Sequence, residues 1–283
     1  MLITRYQTHG LKSSIRMIMW YLIVIAITLM FLWPVLWLLM TSLKPRIEAF
    51  EIPPKLWFHP TLENYRFVLS DRPFVSYIRN SVIVTIISTT ATLIVGAVAA
   101  YALARFKFKG NERISFWVLS TRMLPPVAVI LPIYLILSRL GLINTYAGLV
   151  LVYTAFNIPY AVWLLRGFFA EVSVSIEEAA LMDGCSRLAV FTKILLPLTA
   201  PGLAAALVFC FILSWNEFMF ALVLTGMQTK TLPVLAAGFM TDRGIRWGEI
   251  SVVGMFVLVP AIAAAVILQR NLARAFTFGA VTE

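Results

Sequence analysis

Glu177, Glu178, Ala179, Ala180, Asp183, Gly184, Ile194 and Pro197 fall within one stretch, residues 166–200, which is too polar to cross a bilayer and too ordered to be a tether. Ser175 with Glu178 three residues later reads as a capping box that opens a short helix running to Met182, and Asp183-Gly184 reads as its stop signal. A second short helix follows from Arg187 to Leu195 and ends at Pro197. Two short helices joined at a glycine, which tolerates a positive φ or a close approach, make a knob shaped to seat in a cleft of another protein. The chemistry implied is docking rather than catalysis, with Glu178 acting as a cap and a polar contact. An amphipathic helix lying on the inner leaflet is the alternative that the same composition permits.

A second group lies within apolar runs. Ser120, Thr121 and Arg122 precede Met123-Leu124-Pro125-Pro126, so hydrogen-bond donors stand beside a break that frees backbone carbonyls, a combination found where solute sites are built near a membrane midplane. Arg122 lies about eight residues into its run, roughly 12 Å along a helix, where a cation needs a partner or water. A paired or snorkelling structural arginine is the competing reading. Further on, Trp215, Asn216 and Glu217 combine an aromatic face that could stack on a sugar ring with groups that read hydroxyls. A hinge network with interfacial aromatics is the alternative there. Glu217 sits about 24 Å along its own run, so a direct pair with Arg122 is not expected.

Catalytic and metal-binding machinery is missing. The chain has no G-x-x-x-x-G-K-[ST] run, the nearest approach being residues 226–231, so it is expected to bind no nucleotide itself. His9 and His59 lie outside the apolar runs and no carboxylates cluster, which leaves an enzyme little to work with. Cys185 and Cys210 fall in a loop and an apolar run, giving neither a disulfide framework nor a zinc pattern.

The elements that must position these groups are membrane helices. Of the 283 residues 61% are hydrophobic and 13% charged, more apolar surface than a soluble core of this size hides. Six runs reach the roughly 20 residues a span needs, at 17–40, 80–100, 114–137, 144–165, 201–224 and 250–269. Continuous apolar runs exclude a β-barrel, whose strands alternate. The fold class is therefore all-α, a polytopic membrane protein of six transmembrane helices carrying the knob between the fourth and fifth. One domain takes in residues 1–283, with core spans from about 77 to 269 and a tail at 270–283. The first run is too long for a signal-peptide core and is expected to remain as a span.

Even span number puts both termini on one side. Arg105, Lys107, Lys109 and Arg113 crowd one short connection, and Arg5, Lys12 and Arg16 precede the first span, so both termini are placed in the cytoplasm. The formal charge of +10 is spread over loops on both faces without a basic helix, which fits anionic lipid and not nucleic acid. In the outer segment 45–76, Leu62, Tyr65, Phe67, Val68 and Leu69 are expected to form a short interfacial helix.

Glu178-Ala179-Ala180, then Gly184 after three intervening residues, then Ile194 and Leu196-Pro197 resemble the EAA loop of bacterial ABC importer permeases. The resemblance extends to Trp215-Asn216-Glu217-Phe218, Lys230-Thr231-Leu232-Pro233 and Phe278-Gly279-Ala280-Val281, and is to the maltose-type carbohydrate permeases. It implies that Glu177, Glu178, Ala179, Ala180, Asp183, Gly184, Ile194 and Pro197 couple to an ATPase. It further implies two ATPase copies that bind ATP and Mg, a second homologous permease subunit, an extracytoplasmic solute-binding protein, and a place in the bacterial cytoplasmic (inner) membrane. The solute would be a sugar or polyol, with Ser120, Arg122, Trp215, Asn216 and Glu217 lining its path, and Arg122 would suit an anionic, sulfonated sugar. By the same resemblance the tail reaches between the ATPases, although it lacks the basic residue often found near its end. The competing function is an ion-coupled secondary transporter using Arg122 and Glu217, weakened by the absence of relay carboxylates and inverted repeats.

Overall fold

A computed structural model describes residues 3–70, 73–241 and 244–278. The first helix, α1 (Ile3–Leu43), has no acidic residue in its first turn and continues through Pro34, which a membrane helix tolerates. It outruns the expected 17–40 span at both ends. Its residues from Arg16 onward present large apolar side chains outward, Met30 and Phe31 being 71% and 72% exposed, as a lipid-facing helix should. After a single 3-10 turn at Glu48–Phe50, the expected interfacial helix is α2 (Glu63–Ser70).

Two long helices form the spine. The 33 residues of α3 (Pro73–Arg105) make a rod of roughly 50 Å, and α6 (Tyr146–Glu171) lies along it. Small residues bring the two backbones together, since a Cβ added at Gly96 would come within 2.7 Å of the Ala161 Cβ. Where lipid tails are as apolar as leucine, such close packing is a main source of helix association.

Between them the third apolar run, expected at 114–137, is broken at the expected proline pair. It is α4 (Asn111–Ser120), a 3-10 turn at Thr121–Met123 and α5 (Pro126–Arg139), bent by 95°. Leu124 and Pro125 are extended because a following proline disfavours the helical region. The knob comprises α7 (Val174–Met182) and α8 (Arg187–Val190), which passes through a π turn at Phe191–Leu195 into α9 (Leu196–Leu198). A bend of 79° then leads into α10 (Ala200–Trp215). The expected 201–224 span is also broken, since α11 (Met219–Leu224) starts afresh after Asn216. Next come α12 (Leu232–Gly238), a two-stranded hairpin of β1 (Met240–Thr241) and β2 (Gly244–Ile245), and α13 (Trp247–Phe278), which packs on α1 and α10. Among the described residues four helices can cross a membrane alone, and up to six spans result if each bent pair counts as one. The terminal residues Gly279, Ala280 and Val281 lie outside the described residues.

Three apolar clusters fill the interior. Tyr101, Leu165, Phe169, Val190, Phe191 and Leu195 pack where α3 and α6 meet the knob. Val84, Leu149, Tyr153, Phe220 and Leu224 form the second, and Phe74, Trp215, Leu232, Val252 and Val253 the third.

Candidate functional site

The knob is built by its caps. Ser173, not Ser175, is the N-cap of α7, its hydroxyl accepting from the Ser175 backbone N–H at 3.4 Å. The expected capping box is therefore not formed: Glu178 is exposed and makes no hydrogen bond or ion pair among the described residues. The shift has a distant cause in sequence, because Arg105 Nη2 donates to the Val172 carbonyl at 2.6 Å and so fixes the chain immediately ahead of Ser173.

At the other end, Gly184 N–H donates to the Leu181 carbonyl at 3.1 Å and Cys185 N–H to the Ala180 carbonyl at 3.0 Å, the paired bonds of a Schellman motif. Gly184 has φ +86°, and a Cβ there would meet nothing within 4 Å. Backbone handedness, rather than crowding within this chain, is what asks for glycine. Ser186 then caps α8 by accepting from the Ala189 N–H at 3.2 Å. The second short helix does not end at Pro197 as expected but continues to Leu198. The π turn ahead of Pro197 widens the coil where the proline ring would otherwise meet a carbonyl four residues back.

Glu177 points inward and is 7% exposed. Its carboxylate forms an ion pair with Arg105 Nε, and Tyr101 Oη donates to Oε2 at 3.4 Å. Arg105 is the last residue of α3, where a cation also complements the negative end of the helix dipole. Ala180 is buried in the first apolar cluster and Ile194 packs against it. Glu178, Ala179, Asp183, Gly184 and Pro197 face outward, beside Met182 and Leu188 at 88% and 72% exposed. The sequence grouping thus divides into an inner set that ties the knob to α3 and an outer set left open. The sequence marks Arg105 only as one of the cations crowding a short connection, because its partner Glu177 lies 72 residues away.

The second group is dispersed. Arg122 is half-buried, its Nη1 donating to the Phe156 carbonyl at 3.2 Å and its guanidinium 4.6 Å from the Tyr160 ring centroid. Ser120 and Thr121 turn their hydroxyls onto the Trp117 and Val118 carbonyls of their own helix. Trp215 does not offer the expected aromatic wall: it is 4% exposed, stacks on Phe211 and donates its indole N–H to the Val257 carbonyl at 2.8 Å. Asn216 is exposed and donates back to the Ile212 carbonyl at 2.8 Å. Glu217 accepts from the Phe220 and Ala221 N–H groups at 2.9 and 3.1 Å, capping α11. Trp215, Asn216 and Glu217 are together a helix break, and Arg122 has separate partners on α6.

Two polar arrangements were not foreseen. Inside the bundle, Asn157 Nδ2 and Ser88 Oγ both donate to Ser214 Oγ, at 2.8 and 3.2 Å, joining α6, α3 and α10. At the end of α3 away from the knob, Asn80 Nδ2 donates to the Gln228 and Lys230 carbonyls, both at 2.9 Å, while its Oδ1 accepts from Tyr146 Oη at 2.6 Å. Beside it Asn144, with φ 57°, accepts from Gly226 N–H at 2.8 Å and Thr229 Oγ1 at 2.9 Å. Among the described residues no three His, Cys, Asp or Glu side chains are grouped to hold a metal ion.

Residues 73–278 match the family model described as "Binding-protein-dependent transport system inner membrane component". The chain is 39% identical, over 95% of its length and 97% of the relative's, to a probable ABC transporter permease protein, y4oR, of Sinorhizobium fredii. It is 34% identical, over 88% of its length and 91% of the relative's, to the trehalose/maltose transport system permease protein MalG of Thermococcus litoralis. In fold it is similar to a chain of a bacterial ABC transporter involved in the import of the acidic polysaccharide alginate, with a TM-score of 0.74 at 23% identity, covering 92% of this chain and 97% of that one.

Proposed function

Because the chain belongs to the family of binding-protein-dependent transport inner membrane components, as a multi-pass permease of the maltose-type carbohydrate ABC importers and not an enzyme, we propose that its α7 knob docks an ATPase subunit. The observation that carries this reading is the division of the knob. Glu177 is locked to α3 through Arg105 while Glu178, Ala179, Asp183 and Gly184 stay open to solvent beside exposed Met182 and Leu188. An ATPase seated on the open face would move α7, and the buried ion pair would carry that displacement directly into a membrane-spanning helix.

ATP and Mg would then be bound on two copies of the separate ATPase subunit. A second, homologous permease would complete the pathway, and an extracytoplasmic binding protein would deliver the solute. The knob side, and with it both termini, would lie in the cytoplasm. Arg122 is the residue of this chain suited to an anionic sugar, such as a sulfonated one. Its guanidinium lies over Tyr160 without a carboxylate partner among the described residues. The ion-coupled alternative uses Arg122 and Glu217 as its coupling groups, whereas the Glu217 carboxylate is engaged in capping α11.

The test is affinity purification of the tagged chain from its native membrane, with identification of co-purifying proteins and an ATP hydrolysis assay. The expected result is an ATPase and a second permease, the ATPase being lost in Gly184→Trp. Recovery of the chain alone, moving solute on an ion gradient, would overturn the reading.

A further inference from the structure

The connection from α3 to α4 holds a cleft that the transport reading does not use. Leu103, Phe106, Lys107, Asn111 and Arg113, with Arg166 of α6, line its volume of about 470 Å³. The cleft lies at the knob end of the molecule, next to Arg105. Lys107, Arg113 and Arg166 line it, and Glu112 is the single carboxylate among the lining residues. Arg187 adds a further charge at its edge, its guanidinium 5.4 Å from the ring centroid of Phe106, a lining residue. The ion pairs among the described residues are Lys55–Glu51, Arg105–Glu177 and Arg246–Glu249, so none of the three lining cations is ion-paired. Three lining cations outnumber the one carboxylate beside them, and an anion seated among them offsets their mutual repulsion.

The same wall continues into an apolar cleft. Glu112 and Arg113 also border a second space of about 630 Å³, floored by Ile114, Phe116 and Trp117, and Phe116 and Trp117 are 72% and 67% exposed. Within one turn α4 passes from basic to apolar, the polarity step of a membrane interface, where tryptophan is at home. A free phosphate would use only the first cleft, and a zwitterionic lipid would bring a cation of its own into it. An amphiphile with a negative head and apolar tails complements both.

We infer that Lys107, Arg113 and Arg166, with the Ile114, Phe116 and Trp117 face of α4, form a binding site for an anionic phospholipid, the phosphate headgroup lying in the basic cleft and the acyl chains along α4. The inference rests on the proposed orientation, which sets this end at the cytoplasmic leaflet, where anionic lipids meet juxtamembrane cations. Each basic residue near such a surface strengthens binding by about fivefold, so removing two weakens it by about thirtyfold.

The transporter complex, purified in detergent, is titrated with phosphatidylglycerol, phosphatidylcholine or glycerol 3-phosphate, and bound molecules are counted by native mass spectrometry. The expected result is a retained phosphatidylglycerol that phosphatidylcholine does not replace and glycerol 3-phosphate does not displace. Binding should fall about thirtyfold in Arg113→Gln/Arg166→Gln and persist in Arg113→Lys/Arg166→Lys, which controls for folding. Equal phosphatidylglycerol retention by the glutamine variant would overturn the site. Glycerol 3-phosphate binding as tightly as the lipid would make it a free-anion site instead. Cross-linking of the Phe116→Cys or Trp117→Cys variant to the second permease would make it a subunit interface. ATPase co-purification, read in the same spectra, reports separately on the transport reading.

Discussion

The two ends of α3 are held by different chemistry. At one end Asn80 and Ser81 grip the segment 228–232 through neutral amide and hydroxyl bonds, with Tyr146 completing the set. About 37 Å along the same helix, Arg105 grips the knob through a buried ion pair and a carbonyl bond. The neutral clamp has its donors and acceptors matched inside the chain, and it can hold its loop without help from outside. The charged clamp holds only one face of α7 and leaves the other exposed. A buried charge pair tolerates little distortion, because separating the partners leaves each desolvated and unpaired. The difference leaves the Asn80 end closed on itself and the Arg105 end with an open face, which is where the proposed ATPase would act on the bundle.

The largest expected effect comes from breaking the charged clamp. Glu177→Leu or Arg105→Leu alone strands the other charge and should destabilise the chain by about 3–5 kcal/mol, read as a lower melting temperature in detergent. The double variant should recover most of that loss, since an apolar pair of similar volume replaces a buried ion pair well. Full stability in either single variant would remove the contrast between the two ends.

Asn80→Ala comes next. It strips two backbone carbonyls and the Tyr146 hydroxyl of their partner, and an unsatisfied buried group costs about 1–3 kcal/mol. The cost should appear in stability while ATPase binding persists, which is the sharper half of the test. Gly184→Ala asks an L-residue to hold φ +86°, at about 1–2 kcal/mol. That loss should register as local hydrogen exchange in residues 181–187 rather than in the bundle. Trp215→Phe is the smallest, at about 1 kcal/mol for one lost bond to the Val257 carbonyl. It should leave solute choice unchanged in a transport assay.

How much of this was legible follows from where the information lies. Long apolar runs gave α1, α3, α6 and α13, because crossing a bilayer constrains every residue of the run. Pro125-Pro126 gave the break between α4 and α5, since proline acts on its immediate neighbours. The second break is present in the same form, Asn216-Glu217 interrupting an apolar run, where the residue types admit both a binding wall and a hinge, and only the Glu217 bonds to Phe220 and Ala221 identify a cap for α11. The Gly184 turn was readable from Asp183-Gly184. The N-cap at Ser173 was not, because Arg105 selects it from across the sequence. Arg105–Glu177, Asn80–Lys230 and Asn157–Ser214 are all contacts at long separation, and single-sequence periodicity carries no record of which distant residues meet. The exposed or buried fate of Glu177 and Glu178, adjacent and chemically alike, was decided by such a contact.

Cys185 gives the most direct measurement on the central claim, that the open face of the knob is an ATPase seat. It is exposed one residue past Gly184, whereas Cys210 is buried and stays silent. Maleimide labelling of Cys185 is timed in the assembled complex and in permease stripped of its ATPase. The account predicts labelling at least tenfold slower in the complex, with fast labelling restored on stripping. Equal rates with the ATPase demonstrably bound would contradict it and place the docking surface elsewhere on the chain.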